Sequence, residues 1–178
     1  DFTLAELKTL RAEERIPGTR PDSARYDGQF EVPTLQEVID FVKAEEVRTG
    51  RPIGIIPETK HPTYFKGIGL PMEQRLVNLL GANGFNGKGD RVMIQSFEVR
   101  NLIELNGLTD LRLVQLATGF NARPWDFVAA GDTRTYGDLL RGAGLDLLND
   151  YADVIGPEKG MVIPRVGGVL GTPTSLVE

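Results

Sequence analysis

The sequence predicts an α/β chain with parallel strands, and three observations predict it. Short apolar runs alternate with stretches of helical spacing, the pattern of strand–helix units. The clearest helix candidates open on a capping box or a proline and close at a glycine. One apolar run, Gly54-Ile-Ile-Pro-Glu-Thr-Lys60, ends in a carboxylate and an ammonium. In alternating strand–helix folds the carboxyl ends of the strands are where chemistry is assembled.

Thr3-Leu-Ala-Glu6 is a capping-box pattern and predicts a first helix from about Leu4 to Ala12. Residues 13–33 contain Pro17, Gly18, Pro21, Gly28 and Pro33 and predict a loop. Thr34-Leu-Gln-Glu37 is a second capping box. It is followed by Leu35, Val38, Ile39, Phe41 and Val42 on one apolar face, which predicts a helix over 34–49 stopped by Gly50.

Pro52 to Pro57 is expected as the first strand, His61 to Gly69 as a polar, aromatic-bearing loop, and Pro71 to Leu80 as a helix. After a Gly/Asn-rich loop over 85–90, Arg91 to Phe97 reads as the second strand and Glu98 to Asn106 as a helix closed by Gly107. Leu111 to Ala117 reads as the third strand, and 118–133 as a long loop carrying Trp125. Short helices are expected over Tyr136–Arg141 and Leu145–Tyr151, a fourth strand over Asp153–Gly156, and a final helix opening at Thr172-Pro173. No repeat, low-complexity stretch or dividing linker interrupts the pattern, so 178 residues are expected as one domain. Four strand–helix units are half of an eight-unit barrel, so the domain is expected to be a piece of a larger one.

Composition narrows the chemistry. A net charge of -5 argues against a nucleic-acid-binding module, which usually carries a basic face. A local cation can still dominate the site of a phosphate-bearing ligand. With no cysteine, disulfides, thiol catalysis and zinc–thiolate sites are excluded. No apolar run is long enough to span a membrane, so no stable membrane insertion is expected. The sequence opens at Asp1, so the lack of a leader pattern says nothing of destination.

Glu58 and Lys60 are the strongest site candidates. On a strand, residues i and i+2 share a face, so the two side chains project together from one sheet edge. A carboxylate there can hold a hard cation, and a lysine can hold a phosphate as a point charge. The plainer reading is an exposed ion pair at a strand end, worth little to stability.

Four segments in this order resemble the glycerophosphodiester phosphodiesterase family. They are Pro33-Thr-Leu-Gln-Glu-Val38, Ile56-Pro-Glu-Thr-Lys60, Val92-Met-Ile-Gln-Ser-Phe97 and Tyr151-Ala-Asp-Val-Ile-Gly-Pro157. The Pro-Glu-x-Lys form is most similar to the periplasmic and secreted branch, while leaving the cytoplasm open. The resemblance implies central units of a (β/α)8 TIM barrel. It also implies metal-dependent hydrolysis of glycerophosphodiesters to an alcohol and glycerol 3-phosphate, with calcium first and magnesium second as the cation. By the same resemblance Glu58 is a metal-binding carboxylate, Lys60 is a catalytic, substrate-phosphate contact, and Gln95 is a substrate-binding residue of the strand lining the site.

The departures from the family matter as much. Its two acid/base histidines and remaining metal carboxylates precede the part resembled here, and its last strands follow it. The chain is thus expected to be a central fragment, inactive alone, that self-associates or is accompanied by its missing parts. A non-catalytic phosphate-binding module, and a barrel lipase acting on phosphoinositide or sphingolipid headgroups, are the alternatives.

Other candidates carry less. His61, the sole histidine, matches neither family histidine and reads as a loop residue. Only one of Gln95 and Ser96 can face the site, and Ser96 has no identifiable base. Tyr64, Phe65 and Trp125 offer an apolar wall or pack among themselves. Gly67-Ile-Gly69 is too short for a dinucleotide loop, and Asp146, Asp150 and Asp153 read as a solvated face.

Overall fold

A computed structural model describes residues 2–177. The chain divides into two compact units, Asp1–Ile53 and Gly54–Glu178.

The first unit is helical. Helix α1 (Leu4–Leu7) is shorter than expected, but its capping box forms, with Thr3 and Glu6 bonded reciprocally. Helix α2 (Pro21–Ala24) is a single turn inside the expected loop, opened by Pro21 at its first position. Helix α3 (Leu35–Thr49) follows the sequence closely. Thr34 and Glu37 complete the capping box, and Gly50 ends the helix at φ 66°, a left-handed conformation that glycine adopts without Cβ strain. The expected apolar face is only partly used: Ile39 is buried, while Phe41 is 65% exposed. Lys8 reaches both carboxylate oxygens of Glu37, at 2.8 and 2.5 Å. With the amide and hydroxyl of Thr34 this holds the Glu37 carboxyl at about 2, well below the usual range.

The second unit is a parallel α/β layer. Its elements are α4 (Pro62–Gly67), α5 (Glu73–Ala82), β1 (Met93–Ser96), α6 (Val99–Asn106), β2 (Arg112–Ala117), α7 (Trp125–Ala129), α8 (Tyr136–Leu139), α9 (Ala143–Asn149), β3 (Val154–Pro157) and α10 (Lys159–Val162). A two-stranded antiparallel pair, β4 (Arg165–Val166) and β5 (Val169–Leu170), and a 3-10 turn over Ser175–Val177 follow. The expected terminal helix is that turn.

Strands β1, β2 and β3 lie side by side in parallel, in that order, with Ile94 opposite Leu113 and Val114 opposite Val154. The expected first strand is narrower than its apolar run. Only Ile55 and Glu58 form bridges, to Val92 and Gln95, both parallel. Pro57 explains the thinning: it has no N–H, so the segment bonds to β1 through the Ile55 and Thr59 amides and the Ile55 and Pro57 carbonyls. Gly54 permits the approach, since a Cβ there would stand 3.0 Å from the Arg91 carbonyl oxygen.

The core lies between the sheet and its helices. Ile94, Leu113 and Ala117 of the sheet, Val99, Leu102 and Leu105 of α6 and Leu80 of α5 are all nearly solvent-free, and α6 packs against β1, β2 and α5. Burying each such side chain is worth about 1.5–3 kcal/mol. Two expected loops contain helices instead: α4 lies within 61–69 and α7 within 118–133. No helix among the described residues is long and apolar enough to cross a membrane.

Candidate functional site

The Ile55–Thr59 segment, β1 and β2 all end on one side of the sheet. Their continuations supply Glu58 to Lys60, then Phe97 and Glu98, then Thr118. Together with His61, Pro62, Arg123, Trp125 and Tyr136 these residues line a cavity of about 330 Å³. Every one belongs to the second unit.

Alternation along the first segment explains its division of labour. Thr59 is buried, whereas Glu58 and Lys60 are exposed on the other side. The Thr59 hydroxyl donates to the Asn101 side-chain carbonyl at 2.5 Å. Asn101 donates in turn to buried Glu73 at 2.7 Å, and the other oxygen of Glu73 accepts from the Met72 amide at 3.1 Å. A buried polar chain thus pins the middle residue of the Glu58–Thr59–Lys60 triplet and leaves its neighbours free to face the cavity. Among the described residues, neither Glu58 nor Lys60 makes a side-chain hydrogen bond or ion pair, so the strand-end ion pair does not form.

Gln95 sits opposite Glu58 in the parallel pairing. Its amide donates to Pro57 and its carbonyl accepts from Thr59, both at 3.0 Å, and its side chain donates to the Ile56 carbonyl at 3.4 Å. It braces the charged edge from behind and is not among the cavity-lining residues. Ser96 is buried, donating to the Thr59 carbonyl at 3.4 Å and accepting from the Glu98 amide at 3.2 Å. It is a turn fastener with no exposed hydroxyl.

Sequence reasoning did not single out Glu98, Arg123 or Tyr136. Glu98 is 2% exposed. One of its oxygens accepts from the Thr63 amide at 3.0 Å, while Oε1 is buried with no partner. Asp126 is equally buried; Oδ2 accepts from the Arg100 amide at 2.8 Å and Oδ1 has no partner. The Tyr136 hydroxyl donates to the Phe97 carbonyl at 2.9 Å. Burial, with the nearby Asp126 and Glu98 carboxylates, pushes that phenol well above its ordinary value, so it stays a donor. Arg123 enters on the 118–124 connection, anchored to the Asp132 carbonyl at 3.1 Å. Of the aromatic candidates, Trp125 lines the cavity, while Tyr64 and Phe65 pack edge-on with ring centroids 5.3 Å apart.

The acidic residues Asp146, Asp150 and Asp153 form no metal-binding group. Asp153 pairs with Lys88 at 2.5 Å and accepts from the Leu113 amide at 3.0 Å. Among the described residues, no group of three or more His, Asp or Glu side chains can hold a metal ion. A calcium or magnesium ion takes six or more oxygens. Glu58 supplies one free carboxylate toward such a shell, so the described residues do not complete a metal site by themselves.

The fold and site define a parallel α/β protein whose strand ends carry a cavity of mixed charge, with free cationic and anionic groups side by side. Residues 1–143 match the model of the glycerophosphoryl diester phosphodiesterase family, and the chain belongs to that family. Every cavity-lining residue falls within the matched stretch. Among similar proteins is the glycerophosphodiester phosphodiesterase GDPD6 of Arabidopsis thaliana, 30% identical over 190 residues, covering 99% of this chain and 48% of the relative. Glycerophosphodiester phosphodiesterases of Haemophilus influenzae and Treponema pallidum are each 25% identical, over 93% and 97% of this chain and 50% and 54% of their own lengths. The chain therefore spans about half the length of the curated relatives it matches.

Proposed function

We propose that this chain carries the phosphate-holding half of a glycerophosphodiester phosphodiesterase, which as a whole protein hydrolyses glycerophosphodiesters to an alcohol and glycerol 3-phosphate. One observation carries the reading. Glu58 and Lys60 stand exposed and unpaired at a strand end, lining one cavity with Arg123 and His61. Free charges held on a rigid edge suit a ligand that brings its own charge. Lys60 supplies a positive charge to the phosphoryl oxygens, where it counts most as charge builds in the transition state. Gln95 keeps that edge in register through its pairing with Glu58 and its bond to the Ile56 carbonyl, acting on the site from outside the cavity. Trp125, Phe97 and Pro62 give the alcohol an apolar wall. A divalent cation, calcium before magnesium, takes Glu58 as one ligand among others supplied from outside these residues.

The rest of the reading follows the family. The sheet continues into a (β/α)8 barrel in the whole protein, and the Pro-Glu-x-Lys form favours a periplasmic or secreted location. The chain alone is inactive on this reading, because phosphodiester cleavage moves protons to two places and the sequence holds one histidine. The test is glycerol 3-phosphate release from glycerophosphocholine and its ethanolamine and glycerol analogues, with calcium present. The full-length protein should release it and the 178-residue chain should not. A folded full-length protein that releases none from any of the three would overturn the proposal.

A further inference from the structure

His61 is the only non-glycine residue with a positive φ among the described residues, at φ 52° and ψ 47°. This left-handed conformation is uncommon for a side chain with a Cβ. It is harder still before a proline, which disfavours helical conformations at the preceding residue. Residues that adopt it usually gain a local hydrogen bond. His61 gains none: it begins α4 without a side-chain cap, and its imidazole has no hydrogen-bond partner among the described residues.

What holds His61 there is its surroundings. Pro62 is buried, and the Thr63 amide is tied to Glu98, a buried carboxylate on the neighbouring strand end. The result is a strained residue in the wall of the cavity, beside Lys60 and Arg123. Strain kept at such a place points to function. A second observation concerns the same cavity. Glu98 lines it too, gripping the Thr63 amide at 3.0 Å through one oxygen while its Oε1 is buried without a partner, a cost borne at the base of the His61 turn.

We infer that His61 is a further substrate-binding residue, its imidazole N–H donating to a phosphoryl oxygen of the ester held by Lys60, with Glu98 as the positioning residue that fixes its turn. The inference rests on the proposed function and adds a contact to it.

The experiment is competitive inhibition by glycerol 3-phosphate, read beside thermal unfolding, in the full-length protein and its H61G, H61N and K60M variants. Glycine removes the strain and the imidazole together. H61G should therefore unfold at the same temperature as the wild type or a higher one, while its inhibition constant rises about tenfold. H61N tolerates the left-handed backbone and offers an amide donor, so it should recover part of the affinity. If K60M loses affinity while H61G keeps it, His61 is a turn residue and this inference fails alone. If the folded wild type does not bind glycerol 3-phosphate, the proposed function fails and takes this inference with it.

Discussion

Thr59 donates to Asn101 at 2.5 Å across 42 positions of sequence, and that bond orients the edge bearing Glu58 and Lys60. Asn101 is the hub of the arrangement because it accepts from Thr59 and donates to Glu73 with the two ends of one amide. All three residues are buried, so each bond lies where an unmade one costs most.

Asn101→Ala should accordingly destabilise the protein by roughly 2–4 kcal/mol, since it leaves a buried Glu73 oxygen without its donor and the Thr59 hydroxyl with only its long bond to the Gln95 carbonyl at 3.4 Å. Chemical denaturation measures the loss. Thr59→Val, which removes one hydroxyl from the chain, should cost less. If the two variants are equally mild, the network does not hold the edge.

Glu37 predicts a dependence on acid. Its carboxyl lies at about 2, drawn down by Lys8 first and then by Thr34, from an ordinary value of 4.5. A depressed carboxyl stabilises the fold above its unfolded value and loses that contribution as pH falls toward its folded one. Glu37→Gln should lower the thermal midpoint at pH 7, and the gap to the wild type should close between about pH 4.5 and 2. A gap independent of pH would show that charge plays no part.

Tyr136 predicts the opposite limb. Burial, then Asp126 and Glu98, raise its phenol above the ordinary 10.0. The folded state therefore holds that proton more tightly than the unfolded one, and the stability it brings is lost as pH rises past 10. Tyr136→Phe should cost about 1 kcal/mol at neutral pH, through the lost bond to the Phe97 carbonyl. It should also flatten the alkaline decline that the wild type shows. An unchanged decline would mean that Tyr136 ionises freely.

The parts legible in the sequence were those whose signals are local. Helix α3 could be read because its cap residues Thr34 and Glu37 and its stop at Gly50 all lie within one helix of each other. Strands β1 and β2 could be read as apolar runs, and Glu58 and Lys60 as a strand-end pair. Helices α4 and α7 were missed because six and five residues show little periodicity, and their prolines and aromatics read as loop. Glu98 was missed for a different reason. It reads as an ordinary helix opening, and its partner Thr63 lies 35 residues earlier, so only the fold brings them together. Arg123 and Tyr136 reach the cavity from separate elements after β2, with no spacing to announce them.

The central claim is that Lys60 holds the phosphate, and Lys60→Met in the full-length protein tests it most directly. Steady-state hydrolysis of glycerophosphocholine should show turnover reduced by about a hundredfold or more, with thermal stability unchanged because Lys60 is exposed and unpaired. Near-normal turnover in a folded K60M protein would contradict the account.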